Sequence, residues 1–278
     1  MIDAHQHFWR IGEHDCSWPT RDLLAIYRDF LPDDLLPLAE QTGVTGTVLV
    51  QSQPSDADTD FLLQLAHKSD LIKAVVGWVD LSSPNAPERI QQLAQHPKFR
   101  GVRPMLQGLA DDAWILRPEL EPAITAIKAS NLSFDALVHV RHLPHLQVFA
   151  ERHPELAIVI DHAAKPAIAN DEFSAWATAI TALADLPRVY CKLSGLLTEV
   201  SSEQGVAELQ PYVTQLYRLF GSKRLMWGSD WPVLNSAPNS QYNAYASWLM
   251  LAKKLLSPVS VIEADEIFGL TARQFYRF

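Results

Sequence analysis

Cysteine is nearly absent from this chain: among 278 residues only Cys16 and Cys191 carry a thiol, and neither sits in a Cys-x-x-Cys pair. Two isolated thiols cannot form a disulfide framework and accord with a reducing, cytoplasmic setting. Long apolar runs are missing too. Stretches such as Ala74 to Val79 and Leu156 to Ile160 are far too short to span a bilayer, and no basic region followed by an apolar segment opens the chain. A membrane partner is therefore not expected. Nor is there a cluster of lysine and arginine: 23 basic residues stand against 32 acidic ones, for a formal charge of -9, which sets nucleic acid aside as a partner. Local arginines could still hold an anionic small molecule. No Gly-x-Gly-x-x-Gly follows the first apolar stretch, so an open nucleotide-binding sheet is disfavoured. Repeats, low-complexity tracts and linkers are likewise not found.

What is present is an ordinary globular composition, 48% hydrophobic and 20% charged, over a length that suits one barrel of strands and helices; such barrels take about 250 residues. The chain reads as one domain, residues 1–278. After an extended start comes a Trp- and Pro-bearing loop, Trp9 to Pro32, with room for a short helix at Arg21 to Tyr27. A loop of that length in a compact domain often walls a functional pocket. A helix from Pro32 or Asp33 to Gln41 ends at Gly43, and Val44 to Gln51 reads as a buried strand.

The alternation then continues to the end of the chain. Helices are expected at Ala57 to Lys68, Pro87 to Gln95, Glu119 to Ser130, Pro144 to Arg152, Glu172 to Ala184 and Glu208 to Phe220. Strands are expected between them at Ile72 to Asp80, Phe99 to Arg103, Leu132 to His139, Leu156 to Asp161, Arg188 to Ser194 and Arg224 to Gly228. Terminal helices follow at Gln241 to Leu256 and Ala264 to Tyr276. Strands alternating with helices imply right-handed crossovers and a parallel sheet, and eight of them point to an α/β fold of the closed (β/α)8 TIM-barrel type.

In such a barrel, functional side chains gather at the C-terminal ends of the strands. The expected ends carry His5 and His7, Gln51 and Gln53, Trp78 and Asp80, Arg103, His139, Asp161 and His162, Lys192 and Ser194, and Asp230 with Trp231. In an extended strand Asp3, His5 and His7 share one face, so two imidazoles converge, as a metal site requires. A solvated terminal strand would show the same His-x-His. The eighth strand of a closed barrel lies beside the first, which makes Asp230 a neighbour of the histidine pair. Asp161-His162 could equally be a helix cap with a satisfied core histidine, and Ser229-Asp230 a plain cap. Arg103 and Lys192 could neutralise nearby carboxylates, or hold an anionic or polyhydroxy substrate. The remaining histidines fall in loops or helices, with His96-Pro97 and His153-Pro154 at helix ends.

Four stretches in order, Asp3-Ala4-His5-Gln6-His7-Phe8-Trp9, Asp161-His162-Ala163-Ala164-Lys165-Pro166, Cys191-Lys192-Leu193-Ser194-Gly195-Leu196 and Trp227-Gly228-Ser229-Asp230-Trp231-Pro232, resemble the sugar-acid lactonase branch of the amidohydrolase superfamily. That branch is the group of the L-fucono- and L-rhamnono-lactonases. The resemblance runs nearly end to end and implies hydrolysis of an aldonolactone to a hydroxy acid on a (β/α)8 barrel. It implies that His5, His7, His162 and Asp230 are the candidate metal ligands, with Asp230 and His162 catalytic. The implied cofactor is one divalent metal, typically zinc; some members of the branch work without one. Two departures lie at the mouth: Arg103-Pro104-Met105 where an Arg-His pair is usual, and His139 where the branch carries no histidine.

Lactone hydrolysis needs a base for water, a positive surface for the oxyanion and a donor for the leaving alkoxide. Asp230 is expected as the base, the histidines or their metal as the electrophile, and Arg103, Lys192, Gln51, Trp78, Trp231 and His139 as substrate contacts. The competing readings are hydrolysis or decarboxylation of another small carboxylate by a related site, and a non-catalytic sugar-acid binder.

Overall fold

The computed structural model describes residues 1–238 and 244–278. Eight parallel strands pair in sequence order: β1 (Ile2–Gln6), β2 (Gly46–Val50), β3 (Ile72–Gly77), β4 (Phe99–Val102), β5 (Ser133–Ala136), β6 (Ile158–Ile160), β7 (Val189–Leu193) and β8 (Leu225–Trp227). Helices α1 (Pro32–Thr42), α2 (Asp56–Lys68), α3 (Ala86–Ala94), α4 (Glu121–Ala129), α5 (Leu143–Arg152), α6 (Phe173–Ala184) and α7 (Val206–Arg224) fill the crossovers. The chain ends in α8 (Ala244–Leu255), α9 (Val261–Asp265), a wider turn over Glu266–Leu270, and α10 (Thr271–Tyr276). This is the expected single (β/α)8 barrel.

Local chemistry fixes where the helices begin and end. Ser55 Oγ accepts the Asp58 amide at 3.0 Å to open α2, and Asp34 Oδ2 accepts the Leu31 amide at 2.9 Å to open α1. Gly43 closes α1 at φ 74°, a conformation that suits a residue without Cβ. Several strands stop short of the expected ends because the polar residues beyond the rim leave the ladder for the mouth. His139 opens a short turn after β5, and Asp161 and His162 form one after β6. The segment 21–27 is a series of turns, closed by bonds such as Leu23 N to Thr20 O at 3.0 Å, rather than a helix. Ile26 is buried there while Leu24 stands 84% exposed, and so short a stretch gains too few intrahelical bonds to offset helix nucleation. The start expected for the penultimate helix, Gln241, lies outside the described residues. No helix among the described residues is long and apolar enough to cross a membrane.

The barrel interior is lined by Ile2, Ala4, Val48, Val50, Ala74, Val76, Val159 and Met226, and α10 enters it from the N-terminal end of the strands with Ala272, Phe275 and Tyr276. The expected alternation along β1 fails at one point. The β1–β2 register shifts between Asp3 and Gln6, as a bulge requires. Ala4 and His5 consequently both serve the interior, while Asp3 turns outward to the hydroxyl of Tyr245 on α8 at 3.0 Å. Asp3 therefore does not share the face of His5 and His7. Its other oxygen accepts the Ser229 amide at 2.8 Å and staples the barrel seam, where burial pushes its carboxyl up to about 6.

The seam is closed by the chain just beyond β8. His7 N donates to Trp231 O and Asp230 N to His5 O, each at 2.8 Å. Gly228 makes this approach possible: a Cβ there would lie 2.7 Å from His5 Cβ and 3.0 Å from His5 N. The long loop before α1 is tied down by the backbone pair between Trp9 and Phe30, by His14 Nδ1 on Asp58 at 2.9 Å, and by the Gln53 amide on the Ser17–Trp18 backbone.

Candidate active site

Three elements deliver the upper part of the site. Beyond the bulge, β1 aims His5 and His7 inward. After β6 the backbone runs through four consecutive left-handed residues, His162 to Lys165, with φ between 48° and 63°. Such a run is costly for residues with a Cβ and persists only where surroundings over-determine it; here it turns the His162 ring back over the mouth. Asp230, also left-handed at φ 57°, does the same beyond β8. Asp230 Oδ1 consequently faces three imidazoles, at 3.4 Å from His7 Nε2, 3.8 Å from His162 Nε2 and 3.9 Å from His5 Nε2.

The ring orientations are set from behind. His7 Nδ1 sits 2.8 Å from Val50 O, so it carries the proton and leaves the Nε2 lone pair facing the site. Ser194 Oγ holds His162 Nδ1 at 2.9 Å. Gly195, at φ 67°, passes so close beneath this ring that a Cβ would lie 2.6 Å from Nδ1. His5 Nε2 and His7 Nε2 lie 3.2 Å apart. One of them is a bare acceptor, which calls for a proton or a cation between them.

The donors fit a metal ion. Two ligands bound tetrahedrally to one zinc, each at about 2.0–2.1 Å, lie about 3.4 Å apart, and the His5, His7 and Asp230 donors are separated by 3.2, 3.4 and 3.9 Å. His5, Asp161 and His162 form a second, overlapping group of potential ligands.

Electrostatics divides these groups cleanly. Burial alone would push the Asp230 carboxyl up, but His162, His7 and His5 together hold it well below the usual carboxylate range. Burial drives His162 down to about 4 against the pull of Asp230 and Asp161, so the ring is neutral. His5 is pushed well below its ordinary value by burial and by the Lys192 ammonium. An ionised carboxylate thus faces the neutral rings of His162 and His5.

Beneath lies a second polar tier. Asp161 Oδ2 accepts Arg103 at 3.2 Å, and its Oδ1 lies 3.0 Å from Lys192 Nζ and 3.4 Å from His5 Nδ1. Lys192, with no exposed surface, also donates to Asp135 Oδ2 at 2.7 Å and approaches His5 Nδ1 at 3.2 Å. Arg103 reaches upward as well, 3.4 Å from His5 Nε2, while its other terminal nitrogen donates to Gln51 O.

The structure thus brings together His5, His7, His162, Asp230 and Arg103. Gln51 joins them through its Nε2, which donates to Arg103 O at 2.9 Å, and its buried Oε1 has no protein partner. His139 stands half-buried at the rim, where its amide donates to His142 Nδ1 at 3.0 Å. Burial, then Lys165 and Arg141, lower its ring to about 4. Trp231 is wedged between Phe8 and Phe30, at ring separations of 6.0 and 5.1 Å. Trp78 lines a cleft at the rim with Asp56, Asp80 and Arg89, and no hydrogen bond or ring contact joins it to the histidines. Lys192 is enclosed below the mouth.

Asp135 and Tyr276 were not among the expected residues. A lone carboxylate on the apolar strand Ser133-Phe134-Asp135-Ala136 is a readable signal, since a buried charge demands a partner. Nothing local marks Tyr276.

Comparison with known proteins agrees with this architecture. The sequence profile of the amidohydrolase family matches residues 2–278. An L-fucono-1,5-lactonase from Burkholderia ambifaria is 51% identical over 278 residues, covering 99% of this chain and 95% of the relative. A second protein of that name, from Burkholderia multivorans, is 36% identical over 286 residues, covering 99% and 95%. The crystal structure of an amidohydrolase from Burkholderia multivorans with bound zinc superposes with a TM-score of 0.92 at 36% identity, covering 100% of this chain and 99% of that one.

Proposed function

The chain belongs to the amidohydrolase family, and we infer that it hydrolyses a sugar-acid lactone to the free hydroxy acid, with L-fucono-1,5-lactone the foremost substrate. The observation that carries the mechanism is Asp230, a buried ionised carboxylate ringed by imidazoles that are held from behind.

Asp230 Oδ1 is the base. As the water oxygen bonds to the lactone carbonyl carbon, one proton passes to Asp230, and it is returned to the ring oxygen when the carbon–oxygen bond breaks. The hydroxy acid then ionises and releases one proton to solvent per turnover. Arg103, fixed by Asp161 and the Gln51 carbonyl, brings permanent positive charge to the developing oxyanion. Neutral His162 orients the water and shuttles protons with Asp230. Gln51 Oε1, which has no protein partner, and the His139 ring at the rim take substrate hydroxyls, while Trp231 walls the site. Lys192 fixes the charge beneath it. His5, His7 and Asp230, with His162 beside them, would hold one divalent cation, zinc by the character of the donors; when bound it would polarise the carbonyl and acidify the water. The unpaired cysteines accord with a cytoplasmic enzyme.

Lactone opening releases acid, so a pH indicator follows it against the spontaneous rate. The purified protein should accelerate opening of L-fucono-1,5-lactone, and Asp230→Asn, with unchanged circular dichroism, should lose about 10³-fold or more. No acceleration across a panel of aldonolactones overturns the lactonase reading; equal rates for the two proteins overturn the role of Asp230. Chelation should lower the rate and zinc restore it, and indifference to chelation removes the metal.

A further inference from the structure

Tyr276 stands on the last turn of α10, and nothing in lactone opening asks for a phenol there. Its side chain is completely buried, and its hydroxyl donates to Asp135 Oδ2. Packing alone does not explain the hydroxyl. A phenylalanine would fill the same space beside Phe275, whereas a buried hydroxyl is unfavourable unless it is bonded.

The bond leads to the site in three steps. Ser133 Oγ fixes Asp135 Oδ1 at 2.9 Å, and Tyr276 and Lys192 share Oδ2. Lys192 Nζ donates to Asp135 Oδ2 at 2.7 Å, pairs with the Asp161 carboxylate at 3.0 Å and lies 3.2 Å from His5 Nδ1. Its place is therefore set from below. The far edge of the same His5 ring presents Nε2 to His7 at 3.2 Å and to Asp230 at 3.9 Å. A displacement of Lys192 is felt at the atom that faces the chemistry.

We propose that Tyr276, acting through Asp135 and Lys192, is a positioning residue for His5, so that the C-terminal helix belongs to the catalytic apparatus as well as sealing the barrel. The kinetic half of this inference rests on the lactone-hydrolase reading; the placement of the His5 ring does not.

Tyr276→Phe tests it, because only one hydroxyl is lost. The expected result is a kcat about tenfold lower, as for other residues that orient a ligand from behind, with KM and Tm nearly unchanged. The His5 ring nitrogens, followed by long-range 1H–15N correlation, should shift while those of His139 at the rim do not. Tyr190→Phe, a tyrosine that packs on Phe275 without bonding Asp135, is the control and should leave kcat and the His5 signals at parent values. Parent kcat with unshifted His5 signals in Tyr276→Phe overturns the proposal, as does a loss of activity that Tyr190→Phe reproduces or that tracks a fall in Tm with His5 unmoved. Should the parent open no lactone, the His5 signals decide alone: shifted they uphold the positioning role, unshifted they overturn it.

Discussion

The two polar tiers inside the barrel mouth both set carboxylates against basic side chains, and they differ in closure. In the lower tier, Lys192, Asp135, Asp161 and Arg103 meet at 2.7, 3.0 and 3.2 Å, within hydrogen-bond reach. In the upper tier Asp230 stands 3.4 Å from His7, at the limit of that reach, and 3.8 and 3.9 Å from His162 and His5, beyond it. Charges paired at short range hold a shape and a charge; groups that converge at longer range leave room for something between them. Stability should therefore reside below and chemistry above.

The sharpest way to break that division is Lys192→Met. It leaves the Asp135 and Asp161 carboxylates buried without their ammonium, and removing one partner from such a pair is destabilising by about 3–5 kcal/mol. Urea unfolding should show it, whereas Asp230→Asn should unfold near the parent midpoint; a Lys192→Met protein as stable as the parent would erase the distinction. Gly228→Ala strikes the seam where β8 meets His5 and should be destabilising by about 1–3 kcal/mol through overpacking, with activity falling as the His5 ring is displaced. Thermal melts and the indicator assay check both, and an unaltered melt would mean that the seam relaxes freely. The smallest effect is at the rim. His139, lowered to about 4, should remain neutral at pH 5, where an exposed histidine is charged. Between its ordinary 6.5 and about 4 the unfolded chain binds the proton and the native chain does not, so this group's share of stability is full above 6.5 and declines as pH falls to about 4. The ring proton resonances, assigned with His139→Gln, would report a midpoint near 6.5 if the rim were open to solvent.

The barrel was legible in the alternation of strand and helix patterns because each crossover has its own local period. The upper tier was nearly as legible: His5, His7, His162 and Asp230 all lie at or just beyond strand ends, and the topology of a barrel puts strand ends together. Less legible was anything that depends on how a strand is offset from its neighbour. The bulge at Ala4 and His5 sends Asp3 to Tyr245 instead of into the site, and a period of two cannot reveal an inserted residue. Trp78 shows the same limit from the other side. It follows a strand at the mouth, yet Thr59 clamps its backbone and its ring lines the cleft at the rim.

By itself the sequence determined the order of the elements, the apolar strands, the capped helices and the set of polar residues at the strand ends, all consequences of interactions between residues close in the chain. Only the tertiary structure decided which of those polar residues touch. Asp3 meets Ser229 across 226 positions, and Tyr276 meets Asp135 across 141. Contacts over such separations carry no local period, and they follow from the closure of the barrel and the docking of its last helix.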